Sequence, residues 1–168
     1  MEQIRQAMHK NLIIAMEAFQ IMAEKERQAV EKIIREILAV KYHMENLAAD
    51  RGYSQACRDA IPTCRGECCK WHFPENLTYV DFFIAIYNMP VEKQNELSEL
   101  ILDNRRHQCP VLMKNGCFFS FEQRPVACTN AYPCFNDRSY WEEKEAQSVL
   151  IRKAFRAVSE IVPFGSAE

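Results

Sequence analysis

The sequence predicts a mainly α-helical protein in which long N- and C-terminal helices surround a small cysteine-rich lobe with a short β-hairpin. Three observations predict it. Residues 2–50 contain neither Gly nor Pro, and their apolar residues recur every three or four positions, the mark of an amphipathic helix. Residues 139–162 repeat that pattern. Between them lie all eight cysteines, from Cys57 to Cys134. Thiols used only as small core residues would be scattered, so this block points to thiols placed to meet one another or a metal. The chain divides into a helical region (1–50), a cysteine-rich lobe (51–138) and a C-terminal helix (139–168) packed on the same domain.

In the first region the apolar stripe is Leu12, Met16, Phe19, Ala23, Val30, Ile33, Ile37, Val40, Met44 and Leu47. The polar run Glu24 to Gln28 interrupts it without a Gly or Pro to make a turn, so the expectation is one long or gently broken helix. Lys25, Arg27, Lys32, Arg35 and Lys41 alternate with Glu24, Glu26, Glu31 and Glu36 and read as a solvated face. The stripe is expected to pack on its own domain. Its heptad-like period also offers a face to a homo-oligomer or a protein partner, with Ile33 and Ile37 in the seam.

Gly52 ends this region. Residues 53–76 carry the first cysteines and few apolar runs, and read as an irregular loop. Thr78-Tyr79-Val80-Asp81 has the form of a capping box opening a short helix to about Tyr87. Pro90 starts another, expected to reach His107 with Leu97, Leu100 and Ile101 inward. Asn115-Gly116 between Val111-Leu112-Met113 and Cys117-Phe118-Phe119 predicts a hairpin that brings Cys109 and Cys117 together. Arg124-Pro125 opens a helical turn leading to Cys128, and 130–136 form a knuckle carrying Cys134. The last helix is expected to bury Ala146, Val149, Leu150, Ala154, Ala157, Val158 and Ile161, before Pro163 and Gly165 stop it.

Composition narrows the function. The net charge is −2 with 26% charged residues, which argues against a general nucleic-acid binder. No run of about 18 apolar residues is present to span a membrane. Glu2, Arg5, His9 and Lys10 break the N-terminal apolar run, unlike a signal peptide. The expected location is cytoplasmic, where clustered thiols serve metals or redox chemistry before disulfides. Soft thiolates suit a zinc ion or an iron–sulfur cluster. The candidate ligands are Cys57, Cys64, Cys68, Cys69, Cys109, Cys117, Cys128 and Cys134. Gly66 lets the backbone of Cys64 to Cys69 turn tightly, and the adjacent Cys68 and Cys69 diverge and so serve different roles. His72 and His107 stand near the cysteines and read as neighbours of the site. Arg124 reads as a local anchor whose charge lies near the thiolates. Trp71, Phe73, Phe118, Phe119 and Phe121 read as a shielding wall.

The ordered series Cys64-x-Gly66-x-Cys68-Cys69, Cys109-Pro110-x-Leu112, Gly116-Cys117, Arg124-Pro125-x-x-Cys128 and Pro133-Cys134 resembles the CxxCxxCC, or YkgJ-type, family over residues 57–135. The resemblance implies a zinc- or iron-chelating domain. The chain departs from the family in two places. Cys57 and Cys64 are more widely spaced than the family's opening Cys-x-x-Cys, and Thr129 stands where an Arg often follows the cysteine. The family also includes the flagellin lysine N-methylases, which would imply an iron–sulfur enzyme using S-adenosylmethionine. The chain has no G-x-G-x-x-G loop, no nucleophile elbow and no His-Glu-x-x-His. The expectation is therefore a metal-binding protein. The rivals are that enzyme and a helical interaction protein with a purely structural metal.

Overall fold

The computed structural model describes residues 2–64, 77–105, 109–114, 116–129, 132 and 135–162, with the side chains at 61, 62, 64 and 127 outside that description. It is mainly α-helical with one small two-stranded antiparallel sheet among the described residues.

Helix α1 (Glu2–Ile21) buries Arg5, Met8, Leu12, Ala15 and Ala18, and α2 (Glu24–Asp50) follows it directly. The expected single or gently broken helix is thus two helices. Ala23 between them is extended (φ −68°, ψ 153°), and the polar run supplies the caps. The Ala23 amide donates to the Glu26 carboxylate at 2.9 Å. The Arg27 guanidinium donates to the carbonyls of Phe19 and Met22 at 3.0 and 3.2 Å, closing the C-terminus of α1. Charged side chains break this helix where no Gly or Pro does.

On α2 the buried residues are Val30, Ile34, Ile37, Lys41, Met44 and Ala48, and Ile33, Leu38 and Leu47 pack beside them. Ile37 is already covered within the chain. Arg27 and Lys41 are turned to carbonyls and do not belong to the solvated face to which the charge pattern assigned them. Gly52 takes a left-handed φ of 74° after α2, a conformation that favours Gly.

Residues 53–64 are helical (α3, Tyr53–Cys64), which corrects the loop expected there. Ala, Gln and Arg favour helix irrespective of the cysteines among them, and Gln55 donates to Asp59 one turn on at 2.7 Å. Residues 65–76 lie outside the described residues.

Helix α4 (Tyr79–Ile86) opens on the predicted box, the Thr78 amide and hydroxyl each donating to Asp81 at 2.9 Å. It buries Val80, Phe82, Phe83, Ala85 and Ile86, so it lies in the core on nearly every side. Helix α5 (Val91–Asp103) buries Gln94, Leu97 and Ile101 and stops before the expected His107, with Asn104 extended. Both pack on α1. Strands β1 (Leu112–Met113) and β2 (Gly116–Cys117) pair antiparallel, Leu112 opposite Cys117 and Met113 opposite Gly116. Gly116 has φ 125°, where a side chain would be strained. A 3₁₀ turn (Val126–Cys128) follows Pro125.

Helix α6 (Arg138–Ile161) starts on Asp137, whose carboxylate accepts the Tyr140 amide at 3.1 Å. It packs on α2. Its buried residues are Tyr140, Ile151 and Val158, while Val149 and Leu150 are each 54% exposed and Ala146 is exposed. The predicted face holds in the C-terminal half, with Val158 buried and Ala154, Ala157 and Ile161 half-buried, and is rotated in the N-terminal half. Tyr140 fixes the helix in the second core cluster with Met44 and Ala48, and that turns Lys144, Gln147 and Ser148 partly inward. The main core joins α1, α4 and α5 to Val30, Ile34, Cys109, Val111, Phe119 and Val158.

Candidate functional site

Three of the predicted ligands lie on the turns and the hairpin that follow α5. Cys109 follows α5 in the turn before β1, Cys117 lies on β2, and Cys128 ends the 3₁₀ turn. Cys109 is 7% exposed, and the other two are half-buried. Asn104 at the end of α5 fixes the first turn, its Nδ2 donating to the carbonyls of Pro110 at 2.6 Å and Leu112 at 3.0 Å. The Phe118 amide donates to the Val111 carbonyl at 2.9 Å, holding β2 to the same turn. The hairpin thus brings Cys109 and Cys117 together as its Asn-Gly signal predicted.

Burial pushes the Cys109 thiol up to about 12, and a charge on Cys117 raises it further. The backbone of Val111 and Leu112 acts in the opposite direction, and the Leu112 amide donates to the Cys109 carbonyl at 3.2 Å. Burial also pushes Cys128 up to about 12, with Cys109, Cys117 and Asp81 adding to the rise and Arg124 opposing it. Asp81, the capping carboxylate of α4, is itself raised by burial and held down by Thr78. Removing the proton from Cys109 or Cys128 is costly unless a cation arrives to replace it.

The other candidates are placed as follows. Cys57 is half-buried on α3, and its charge would raise the Tyr132 hydroxyl. That hydroxyl belongs to a network in which Tyr132 and Ser54 donate to Glu45, each at 2.8 Å. Cys64 is the last residue of α3, and its side chain is not described. Cys68, Cys69 and Cys134, with His72, His107, Trp71 and Phe73, lie outside the described residues. Phe119 is buried in the core, Phe118 meets it edge-on with ring centres 5.9 Å apart, and Phe121 lies under Lys41. Arg124 anchors locally, its Nε donating to the Phe119 carbonyl at 3.4 Å. Thr129 is buried and donates to the Pro125 carbonyl at 3.1 Å.

Sequence reasoning missed Lys41. Its ammonium is 2% exposed and donates to the carbonyls of Phe121, Glu122 and Arg124 at 2.8, 2.7 and 3.0 Å. Burial is the main cause that lowers it to about 8, and the Arg124 charge adds to this, while Glu122 and Cys128 act against it. A signal was present. In the register Val30, Ile34, Ile37, Lys41, Met44, Ala48, one lysine occupies an otherwise apolar stripe.

Soft sulfur donors suit a thiophilic metal. Among the described residues, no group of three or more His, Cys, Asp or Glu side chains is arranged to hold a metal ion. No helix of the described residues is long and apolar enough to cross a membrane. Comparison with protein-family models, with curated proteins and with solved structures finds no match for the chain.

Proposed function

We propose that the chain is a cysteine-cluster metal-binding protein of the cytoplasm, holding a zinc ion or an iron–sulfur cluster through thiolates. Cys109, Cys117 and Cys128 would supply one set of sulfurs, and Cys57, Cys64, Cys68, Cys69 and Cys134 the remaining candidates. One observation carries the reading. Cys109 is buried in the turn before the hairpin that carries Cys117, and the backbone of Val111 and Leu112 favours its charged form against burial. Amide donors favour a thiolate over a thiol, so a buried cysteine with no use for its charge would gain little from them. Metal binding displaces the protons that burial otherwise holds in place. A resemblance to the CxxCxxCC family agrees with this chemistry.

Elemental analysis and a visible spectrum of anaerobically purified protein test it. Stoichiometric zinc in a colourless protein, or iron with absorbance near ~400 nm, is the expected result. A folded protein with neither element would sink the proposal.

A second reading, an interaction surface, is favoured by the cleft between α2 and α6. It has a volume of about 300 Å³ and is lined by Ile33, Val40, Leu150 and Ala157, with Glu36 on one helix and Lys153 on the other. A second copy related by a two-fold axis would set each Glu36 against a Lys153. Leu150→Glu should then halve the sedimenting mass, and an unchanged monomeric mass in the wild type would exclude it.

A further inference from the structure

We propose that the turn 121–124 is a built site for a primary ammonium group, and that the chain fills it with its own Lys41. The inference stands apart from the metal-binding reading, since it involves no cysteine and no metal.

A primary ammonium has three N–H donors and no acceptor. The Lys41 ammonium directs all three at one turn, to the carbonyls of Phe121, Glu122 and Arg124 at 2.8, 2.7 and 3.0 Å. The face of the Phe121 ring lies 5.3 Å from the same nitrogen, and the negative face of an aromatic ring favours a cation. Lys41 is 2% exposed, so these groups stand in for the water that would otherwise solvate the charge. The Glu122 carboxylate is exposed and accepts the Tyr42 hydroxyl at 2.5 Å, so it is the Glu122 carbonyl that serves Lys41. The turn also has its own internal bonds. The Arg124 amide donates to the Ser120 carbonyl at 3.0 Å. The Ser120 amide donates to the Gln123 side-chain oxygen at 3.2 Å, and the Gln123 amide to the Ser120 hydroxyl at 3.4 Å. None of these three bonds involves Lys41, so the turn itself aims the carbonyls at one point.

The simpler alternative is packing. The stem of Lys41 lines a small cavity with Met44, Val126 and Ile151, and a long side chain can hold its place by its apolar stem alone. The two accounts differ in what a free molecule can do once the side chain is cut back. A built site keeps its shape and takes up a free ammonium of matching length. A hole made only for the stem takes up any molecule of that shape, charged or neutral.

The test uses the reduced full-length chain at about pH 7, where a free alkylamine is charged. Lys41→Ala leaves a gap with the length of n-propylammonium, which is the probe. The probe should raise the thermal midpoint of Lys41→Ala saturably, by about 2 to 4 °C once it stands at about four times its dissociation constant. Wild type should not move, because its site is filled. 1-Propanol and sodium chloride at the same concentration should leave the variant unmoved. An equal rise with 1-propanol, an equal rise in wild type, or a rise that never saturates would overturn the site. Should Lys41→Ala stay unfolded even with the probe, Lys41→Met keeps the stem and lacks only the terminal nitrogen, and ammonium chloride is then compared with sodium chloride. A midpoint raised by ammonium alone supports the site. Equal effects of the two salts, or no folding in either, would overturn it.

Discussion

Cys109 shows opposed effects acting on one atom. Burial drives its proton on, and the amides of Val111 and Leu112 favour its loss. In metal-free protein burial prevails, so the folded chain keeps protons on Cys109 and Cys128 to about 12, while the unfolded chain loses them near the ordinary 9.0. The unfolded state then binds fewer protons, and this contribution to stability is complete below pH 9.0 and lost as the pH rises toward 12. In urea unfolding between pH 8 and 10.5, Cys109→Ala should lose stability less steeply than wild type, and parallel slopes would contradict this. Lys41 has the opposite sign. Its folded value of about 8 lies below its ordinary 10.5, so the unfolded chain holds the extra proton between them. Wild type should therefore gain on Lys41→Met as the pH is raised through that window, and a constant difference would show that Lys41 does not titrate there. The cysteines stand out in the sequence because their number and spacing are unusual. Lys41 was not, because a lysine among alternating glutamates looks solvated until the loop that covers it is known.

At the scale of elements, caps were read more reliably than faces. The Thr78–Asp81 box was legible because its partners lie within one turn of each other. The face of α6 was not, because hydrophobicity alone favoured Val149 and Leu150, whereas the contacts of Tyr140 with α2 set the rotation. Helix α3 was obscured by its own cysteines, which suggested a loop although the residues between them favour helix. The α1–α2 junction was visible as a polar run, but its depth depends on Arg27 reaching back to Phe19 and Met22. Arg27→Ala removes two charge-assisted bonds from a half-buried site and should cost about 1.5 to 3 kcal/mol in urea unfolding. A loss under about 0.5 kcal/mol would show that the junction is held by packing alone.

For the whole molecule, the mainly helical class with one small hairpin was legible from periodicity and turn chemistry. What periodicity cannot convey is partition. Helix α1 serves the core it forms with α4 and α5, while α2 runs on to join α6 and α3. The Cys109 turn, the Cys128 turn and Lys41 therefore come from separate parts of the chain and meet only in the folded protein. If the chain holds the proposed metal, removing it should leave most helices intact and lower the thermal midpoint, because binding to the native state alone stabilises it. A chelator that abolished the far-ultraviolet helical signal at 25 °C, an ordinary assay temperature, would instead mean that the fold depends on the ion.

The two bonds from Asn104 bear on the speed of loading as well as on shape. They tie the end of α5 to the carbonyls on either side of Val111, so the turn that carries Cys109 is held without any ion. If the proposed metal binds there, its capture would not wait on a search through loop conformations. The Val111 and Leu112 amide protons should exchange slowly with deuterated solvent even without metal, and Asn104→Ala should speed both that exchange and the escape of a bound ion.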